Sequence, residues 1–304
     1  MKKIFVFGSL NMDMVINTPY IPQNGETLHG SGFMYNPGGK GANQAVACSK
    51  LGGNTYMIGK VGKDMFADQL IEALKGYNVN TENVFKSETV TSGIAMILKC
   101  DNDNRIVLDA GSNFDITLEE VKSVLDTQTE SGDLWIAQLE TPMEVVEESF
   151  KLAKEKGLYT IFNPAPAKKI KDETYAFIDL IVLNQSECEI MTGIYPNTEE
   201  DYKEICQYFS ARGVKEIIIT LGSKGSALYT NGKILKFQAE KVEAVDTTAA
   251  GDSYIGSLAY SLSTGRKLED SIEEAGKVAA LTVMKHGAQS AIPTREELIT
   301  YMNN

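Results

Sequence analysis

Residues 179–184 read DLIVLN, a run in which four apolar residues follow one another without polar alternation. Such a run is typical of a strand that is buried on both faces of a parallel sheet. Similar runs alternate along the chain with segments of helical period. In order, the pattern predicts a strand in DLWIAQL (133–139), a helix over 142–156, a strand in LYTIFN (158–163), a strand in DLIVLN, a helix over 199–212 and a strand in EIIITLG (216–222). With a first strand at 4–7, the pattern predicts an α/β fold with helices on both faces of a mainly parallel sheet.

Two segments, at about 14–36 and 90–109, do not fit this alternation because they lack helical period. In the second segment, IAMILK and RIVLDA flank Asp101–Asn104, a sequence typical of a hairpin loop. These segments therefore predict a small separate β layer, or lid. Because the chain contains no repeat, low-complexity tract or Pro/Ser-rich linker, we expect the lid to be an outgrowth of one domain over residues 1–304.

Composition limits the possible partners and the compartment. With 304 residues, 43% of them hydrophobic and 23% charged, the chain is typical of a globular protein. Its net charge of −12 argues against binding nucleic acid. The four cysteines form no CxxC pair, which favours a reducing compartment and disfavours zinc. The apolar stretch in the N-terminal sequence MKKIFVFGSLNMD is shorter than that of a signal peptide. No apolar run is long enough to span a membrane. We therefore expect a cytoplasmic protein.

Polar residues follow several of the predicted strands. In open α/β sheets, ligands bind beyond the carboxyl ends of the strands. Taken singly, each of these residues is an ordinary turn former. Their clustering at one sheet edge instead predicts a binding site that includes Asn11, Asp13, Gln138, Glu140, Asn163, Asn184, Glu187 and residues 222–225.

Three glycine-rich or polar stretches are candidates for binding phosphate or magnesium. NPGGKGANQAVACSKLGG (36–53) places three glycines around Lys40 before a helix, but Gln44 stands where a complete dinucleotide fingerprint has its last glycine, and no Gly-Lys is followed by Ser or Thr. TLGSKG (220–225) is either a phosphate-binding loop or a hairpin turn. NQSE (184–187) offers either a carboxylate on the magnesium side or a plain helix-start glutamate.

The stretch DTTAAGDSYIGSLAYSL (246–262) predicts a helix with an unusual start. Its small residues leave backbone N–H groups uncovered at the helix N-terminus, which suits a phosphoryl group that gains charge. Asp252 would repel such a group if it were only a cap, so it is better explained as a base that accepts the proton of the attacking hydroxyl. The alternative is an aspartate favoured by the helix dipole, worth about 0.3–1 kcal/mol.

Taken together, GGKGANQAVA, DTTAAGDSY, NPAPA (163–167), NQSE and TLGSKG resemble the ribokinase family of sugar kinases from Ile4 to Ile292. The resemblance implies a ribokinase-like α/β fold and ATP-dependent phosphorylation of the 5-hydroxyl of D-ribose. The alternatives are a sibling kinase for deoxyribose, fructose or adenosine, and an inactive sugar-binding regulator. A dinucleotide oxidoreductase is disfavoured by the broken fingerprint.

The resemblance also implies a role for individual residues. The sugar would be held by Asn11, Asp13, Gly39, Lys40, Gly41, Ala42, Asn43 and Glu140, with Asp252 as the base. The ATP-binding site would be lined by Asn184, Thr220, Leu221, Gly222, Ser223, Lys224, Gly225, Gly251 and Asp252, with Glu187 on the Mg²⁺ side. An activating K⁺ would be held by Asp246, Thr248, Thr282, Lys285 and Gly287.

The resemblance further implies that the lid covers the sugar and pairs two subunits as a homodimer. Two positions depart from the family pattern. Gly276 stands where a polar residue near the adenine is common, and Ala291 stands where a serine usually completes the K⁺ shell.

Overall fold

The computed structural model describes residues 1–100 and 103–303. The strands are β1 (Lys3–Phe7), β2 (Asn11–Asn17), β3 (Ser31–Gly38), β4 (Asn54–Val61), β5 (Asn80–Lys86), β6 (Gly93–Cys100), β7 (Asp103–Asp109), β8 (Leu134–Ala137), β9 (Tyr159–Phe162), β10 (Leu180–Asn184), β11 (Glu216–Thr220), β12 (Ser226–Thr230) and β13 (Lys233–Phe237). The helices are α1 (Lys40–Lys50), α2 (Met65–Gly76), α3 (Leu118–Gln128), α4 (Met143–Glu155), α5 (Gln185–Thr192), α6 (Glu199–Ser210), α7 (Ala250–Ser263), α8 (Leu268–Val283) and α9 (Arg295–Met302).

The main sheet has the strand order β13-β12-β11-β10-β9-β8-β1-β4-β5. Its pairs are parallel from β5 to β11, and β12 and β13 are added antiparallel at one edge. The predicted mainly parallel sheet is therefore confirmed. The helix predicted over 142–156 is Met143–Glu155, and the helix predicted over 199–212 is Glu199–Ser210.

Strand β1 shows why the sheet is covered on both faces. Ile4 and Val6 belong to the apolar cluster that includes α1, α2, α7 and α8. Phe5 and Phe7 belong to the opposite cluster, with α3, α4, α5 and α6. Because successive side chains of a strand point to opposite faces, an uninterrupted apolar run supplies both cores. Burial of each such side chain contributes about 1.5–3 kcal/mol.

Helices α1 and α7 pack closely at Gly256. A Cβ at this position would collide with the Ala47 side chain and would lie 2.7 Å from the Gln44 carbonyl oxygen. The Cys48 thiol also donates to the Gly256 carbonyl oxygen at 3.2 Å. This close approach places the first turns of the two helices side by side at the edge of the sheet.

A second, four-stranded sheet has the order β3-β2-β6-β7. It contains the segments predicted to form the lid, although β2 already begins at Asn11 and β3 continues to Gly38. Strands β6 and β7 pair antiparallel from Ile94 with Asp109 to Cys100 with Asp103. Asp101 and Asn102 of the predicted hairpin loop lie outside the described residues.

In the described parts of the chain, no helix combines the length and the apolar character needed to cross a membrane. All four cysteines are buried and have free thiols.

Candidate active site

A cavity of about 240 Å³ lies where β9, β10 and β11 end and α7 begins. It is lined by Lys40, Asn163, Ala165, Val182, Leu183, Asn184, Glu187, Thr220, Thr247, Ala249, Ala250, Gly251, Asp252 and Ile255. This is the edge at which ligands bind in open α/β sheets. Polar residues from five separate segments thus converge, and of the residues predicted at this sheet edge, Asn163, Asn184 and Glu187 line the cavity.

Asp252 lies in the first turn of α7 and is 8% exposed. Its Oδ2 accepts a hydrogen bond from Asn43 Nδ2 at 3.1 Å, and its Oδ1 accepts one from Gln44 Nε2 at 3.0 Å. The helix begins after Ala249, which has a left-handed φ of 60° and provides no side-chain cap. The Ala250 N–H donates to the Thr247 carbonyl oxygen at 3.3 Å. The N–H groups of Gly251 and Asp252 have no acceptor within the helix, which makes this end a site for an anion.

Glu140 follows β8 and joins three of the predicted sugar-binding segments. Its Oε2 accepts hydrogen bonds from the Ser9 hydroxyl at 2.5 Å, from Asn11 Nδ2 at 3.3 Å and from the backbone N–H of Lys40 at 3.4 Å. Carboxylate oxygens held in this way keep further lone pairs for sugar hydroxyls.

Gly39 allows α1 to begin against the start of β2. Its φ of 93° is in the left-handed region, and a Cβ would lie 2.8 Å from both the Asn11 nitrogen and the Ser9 carbonyl oxygen. Only glycine tolerates this backbone at this distance. The structure consequently brings together the predicted sugar-binding residues Asn11, Asp13, Gly39, Lys40, Gly41, Ala42, Asn43 and Glu140.

The charges at this edge are strongly coupled. Burial, together with repulsion from Glu140 and Asp252, raises the pKa of Asp13 from 3.8 to about 7, although Lys40 opposes the rise. Burial disfavours the Lys40 ammonium, but attraction from the surrounding carboxylates, Asp252 first, outweighs it and raises the pKa of Lys40. Strongly shifted groups in a cleft are typical of functional sites.

On the nucleotide side, Asn184 and Glu187 form the capping box of α5. Asn184 Oδ1 accepts from the Glu187 N–H at 2.9 Å, and Glu187 Oε2 accepts from the Asn184 N–H at 2.8 Å. Both residues therefore have a structural role as helix caps, while both also line the cavity. Burial raises the pKa of Glu187 despite the Asn184 hydrogen bond and nearby Lys40.

The TLGSKG loop is the hairpin turn between β11 and the antiparallel β12. Its Thr220 lines the cavity together with Gly251, whereas Leu221, Gly222, Ser223, Lys224 and Gly225 are outside the described lining. A role for these five residues in ATP binding stays a prediction.

Two loops of the predicted K⁺ site meet at Asp246. Its Oδ1 accepts from the Thr248 N–H at 2.9 Å and the Thr248 hydroxyl at 2.6 Å, and its Oδ2 accepts from the Gly287 N–H at 3.3 Å. The Lys99 ammonium, from lid strand β6, lies 3.8 Å from Oδ2. Although burial opposes it, these hydrogen bonds and Lys99 lower the pKa of Asp246.

Thr282 lies in the last turn of α8, and Lys285 belongs to the loop that follows this helix. The Thr282 carbonyl oxygen accepts from the Lys285 N–H at 3.2 Å, and the Val283 carbonyl oxygen accepts from the Asp246 N–H at 3.1 Å. Ala291 is 1% exposed. The five predicted K⁺ ligands thus lie on two adjoining segments, the loop before α7 and the end of α8 with the loop that follows it.

Sequence reasoning did not assign roles to four buried amides. Asn113 Nδ2 donates to Asn11 Oδ1 at 2.7 Å and to the Leu10 carbonyl oxygen, and Asn113 Oδ1 accepts from the Leu10 N–H. The bond to Asn11 Oδ1 orients the Asn11 amide so that its NH₂ group faces Glu140. Gln44, Gln138 and Asn163 form a network behind Asp252. The sequence indicated Gln138 and Asn163 as site candidates because they are polar residues at strand ends. Asn113 lies in a short 3-10 turn after the lid, and no sequence pattern indicated it.

The chain is a carbohydrate kinase by family as well as by fold. Residues 1–295 match the model of the pfkB family carbohydrate kinases, and the chain belongs to this family. The predicted membership of the ribokinase family of sugar kinases and the predicted fold class are both confirmed.

Individual sugar kinases are similar to the chain over nearly its whole length. The chain is 37% identical to the ribokinase of Staphylococcus aureus, over 97% of this chain and 98% of that protein. It is 34% identical to the deoxyribokinase of Salmonella typhimurium, over 99% of this chain and 98% of that protein. The structure of Arabidopsis thaliana ribokinase complexed with ribose and ATP matches with a TM-score of 0.91 at 27% identity, over 100% of this chain and 99% of that one.

Proposed function

We propose that the chain transfers the γ-phosphoryl group of ATP to the 5-hydroxyl of D-ribose, with Asp252 as the general base. The observation that carries this proposal is the position of Asp252, a buried carboxylate at an uncapped helix N-terminus that lines the cavity. A sugar hydroxyl bound there gives its proton to Asp252 as its oxygen attacks the γ-phosphorus. The bond between that phosphorus and the bridging oxygen breaks, and ADP leaves.

The first turn of α7 supplies the stabilisation of the transferred group. The Ala250 N–H already donates to the Thr247 carbonyl oxygen at 3.3 Å, which leaves the Gly251 N–H as the donor for the phosphoryl group. This N–H is fixed before the reaction, so it would stabilise developing negative charge without reorganising. Gly251 lines the cavity beside Asp252, so the proposed base and the phosphate-binding amide belong to one rigid element.

Sugar recognition rests on groups that remain available for hydroxyls. Asn43 Oδ1 is buried and has no hydrogen-bond partner among the described residues. A buried acceptor without a partner is costly, and a bound sugar hydroxyl would satisfy it. Asp13 and Glu140 offer further acceptors on two other segments.

The choice between ribose and 2-deoxyribose depends on the same groups. The relatives include both a ribokinase and a deoxyribokinase at similar identity. A site that hydrogen-bonds a hydroxyl discriminates strongly against the analogue that lacks it, because its buried polar groups are then left unpaired. The carboxylates of Asp13 and Glu140, which are not engaged by the 5-hydroxyl in this proposal, favour the fully hydroxylated sugar.

Mg²⁺ and K⁺ are proposed as the accompanying ions. In the described residues, no group of three or more His, Cys, Asp or Glu side chains could hold a metal. Mg²⁺ commonly uses one carboxylate together with waters and substrate phosphates. Glu187 lines the cavity and fits that requirement, and a Mg²⁺ ion held on its side would neutralise phosphate charge.

For K⁺, the donor set of Asp246 and the carbonyls of Thr248, Thr282, Lys285 and Gly287 consists of oxygens, which suits this ion. Asp246 already joins the two loops through Thr248 and Gly287. An ion bound there would fix the loop that precedes the α7 amides.

The lid supports the proposal of a homodimer. Its strands expose the apolar side chains of Phe33, Met34, Tyr35, Met96, Ile106, Val107 and Leu108. Exposed apolar patches of this kind mark interaction surfaces. We propose that one part of this surface covers the sugar and that the rest pairs with the lid of a second copy. A cytoplasmic location fits the four free thiols and the use of ATP.

The test of the proposed function is Asp252→Asn, measured as ADP release with ribose. We expect kcat to fall roughly 10²- to 10⁴-fold, because a positioned general base is lost. Ribose binding, measured by calorimetry, should persist. Asp270→Asn is the matched control, since Asp270 is an exposed aspartate in the first turn of α8. A kcat near that of the wild type for Asp252→Asn would remove Asp252 from this role.

A further inference from the structure

A chain of buried amides lies directly behind Asp252. Gln138 Nε2 donates to Gln44 Oε1 at 2.7 Å. Gln44 Nε2 donates both to Asp252 Oδ1 at 3.0 Å and to Asn163 Oδ1 at 3.2 Å. Gln44 and Gln138 are 0% exposed, and Asn163 is 6% exposed. The network therefore comes from three segments, α1 and the ends of β8 and β9.

The backbone fixes the direction of every amide in this network. Asn163 Nδ2 donates to the Val182 carbonyl oxygen of β10 at 3.1 Å, so Asn163 must present its oxygen to Gln44. Gln44 must then present its NH₂ group to Asn163 and Asp252, and its oxygen to Gln138. If the Gln44 amide were rotated by half a turn, its oxygen would face two acceptor oxygens.

We propose that Gln44 is a positioning residue that holds the Asp252 carboxylate in its productive orientation, with Asn163 and Gln138 setting the direction of the Gln44 amide. The proposal rests on the proposed role of Asp252 as the base. Gln44 is fully buried and is outside the lining of the cavity, so its effect on the reaction passes through Asp252.

The geometry explains why a neutral amide suits this position. Asn43 and Gln44 each donate to a different oxygen of Asp252, which fixes the plane of the carboxylate. An ionised carboxylate has about four lone-pair sites, so two remain for the sugar hydroxyl. A lysine in place of Gln44 would instead form an ion pair and compete with the proton that Asp252 must accept.

The test compares Gln44→Met, which removes the donor at similar volume, with Asp252→Asn and with the double variant. We expect Gln44→Met to lower kcat about 10- to 100-fold, the cost of a slightly misplaced reacting group, with KM for ribose and for ATP changed less than about two-fold. In the Asp252→Asn background the same substitution should cause no further loss, because residues that act as one unit are not additive.

Two further variants keep the test independent of folding. Gln128→Met is the matched control, since Gln128 forms an amide pair with Asn83 far from the cavity, and it should leave kcat unchanged. Gln138→Met removes only the outer partner of Gln44, and we expect a smaller loss of about 3- to 10-fold in kcat. If Gln44→Met does not fold, Gln138→Met carries the test.

Each outcome is distinguishable. Wild-type kcat in Asp252→Asn would overturn the proposed base, and with it this inference. The inference alone would be overturned if Asp252→Asn lost most of its kcat while Gln44→Met kept the wild-type kcat. If Gln44→Met does not fold, the same comparison is made with Gln138→Met. Losses that multiply in the double variant would also overturn the inference, because Gln44 would then act independently of Asp252.

Discussion

Replacement of Asp13 by asparagine is expected to stabilise the protein without ligands above pH 7 and to weaken sugar binding. Asp13 is partly buried on β2, where burial and the charges of Glu140 and Asp252 raise its pKa from 3.8 to about 7, against the attraction of Lys40. The folded state therefore opposes ionisation of this carboxyl. A neutral asparagine removes that opposition.

The sign and size of the expected change in the free energy of unfolding follow from the pKa values of Asp13 in the unfolded and folded states. Because the pKa is raised on folding, the folded state binds more protons than the unfolded state between pH 3.8 and about 7. Stability then falls as pH rises through this window, and the loss is complete above it. At about 1.4 kcal/mol per pKa unit, the loss is at most about 4 kcal/mol. Asp13→Asn should recover about 1–3 kcal/mol of this at pH 8 and almost none near pH 4.

The assay is urea unfolding of the protein without ligands at pH 4.5 and pH 8, with ribose affinity measured by calorimetry at pH 8. Asp179→Asn is a control of opposite sign. Although burial opposes it, hydrogen bonds from Lys154, Thr160 and Lys215 lower the pKa of Asp179, so its contribution is present at pH 8 and is lost as pH falls through its folded-state value. An Asp13→Asn variant that gained equally at both pH values, or gained nothing at pH 8, would refute the reasoning.

Three further outcomes are expected. With ribose, 2-deoxyribose, fructose and adenosine compared by ADP release, kcat/KM should be highest for ribose, and equal use of ribose and 2-deoxyribose would refute the ribose proposal. In a large organic-cation buffer, added KCl should raise the rate, Ala291→Ser should shift activation to lower KCl because it adds a hydroxyl ligand, and an unaffected Asp246→Ala variant would contradict the K⁺ site. Val107→Asp, at a lid position that is 69% exposed, should convert a dimer to monomers in analytical ultracentrifugation, and an unchanged mass would contradict lid pairing.

The fold was predictable because its signal is local. Uninterrupted apolar runs such as 217–219 can be buried on both sides only within a covered parallel sheet. Once the strands are parallel, their carboxyl ends share an edge, so the convergence of residues such as Asn163 and Asn184 follows from the order of the strands. Family motifs at the starts of α1 and α7 then led to the prediction of Asp252 as the base.

Other features depend on distances that no sequence pattern encodes. The contact between Gln44 and Asp252 requires α1 and α7 to approach as closely as Gly256 allows. The amide of Asn113 becomes informative only when the 3-10 turn after β7 is placed against Leu10. Asn184 and Glu187 illustrate a different limit, since the same residues serve as a capping box and as cavity lining, and the sequence offered these as alternatives.

The arrangement of charge and amides explains how one pocket can bind a neutral sugar and activate its hydroxyl. Asp13, Glu140 and Asp252 repel one another, and Lys40 only partly offsets that repulsion. Additional cations would stabilise the empty pocket, but they would also neutralise Asp252, the proposed base. The site instead uses neutral donors, Asn11 for Glu140 and Asn43 with Gln44 for Asp252. Sugar hydroxyls are donors of the same kind, so a sugar bound as proposed would relieve the repulsion that folding leaves in place, and part of its binding energy would come from that relief.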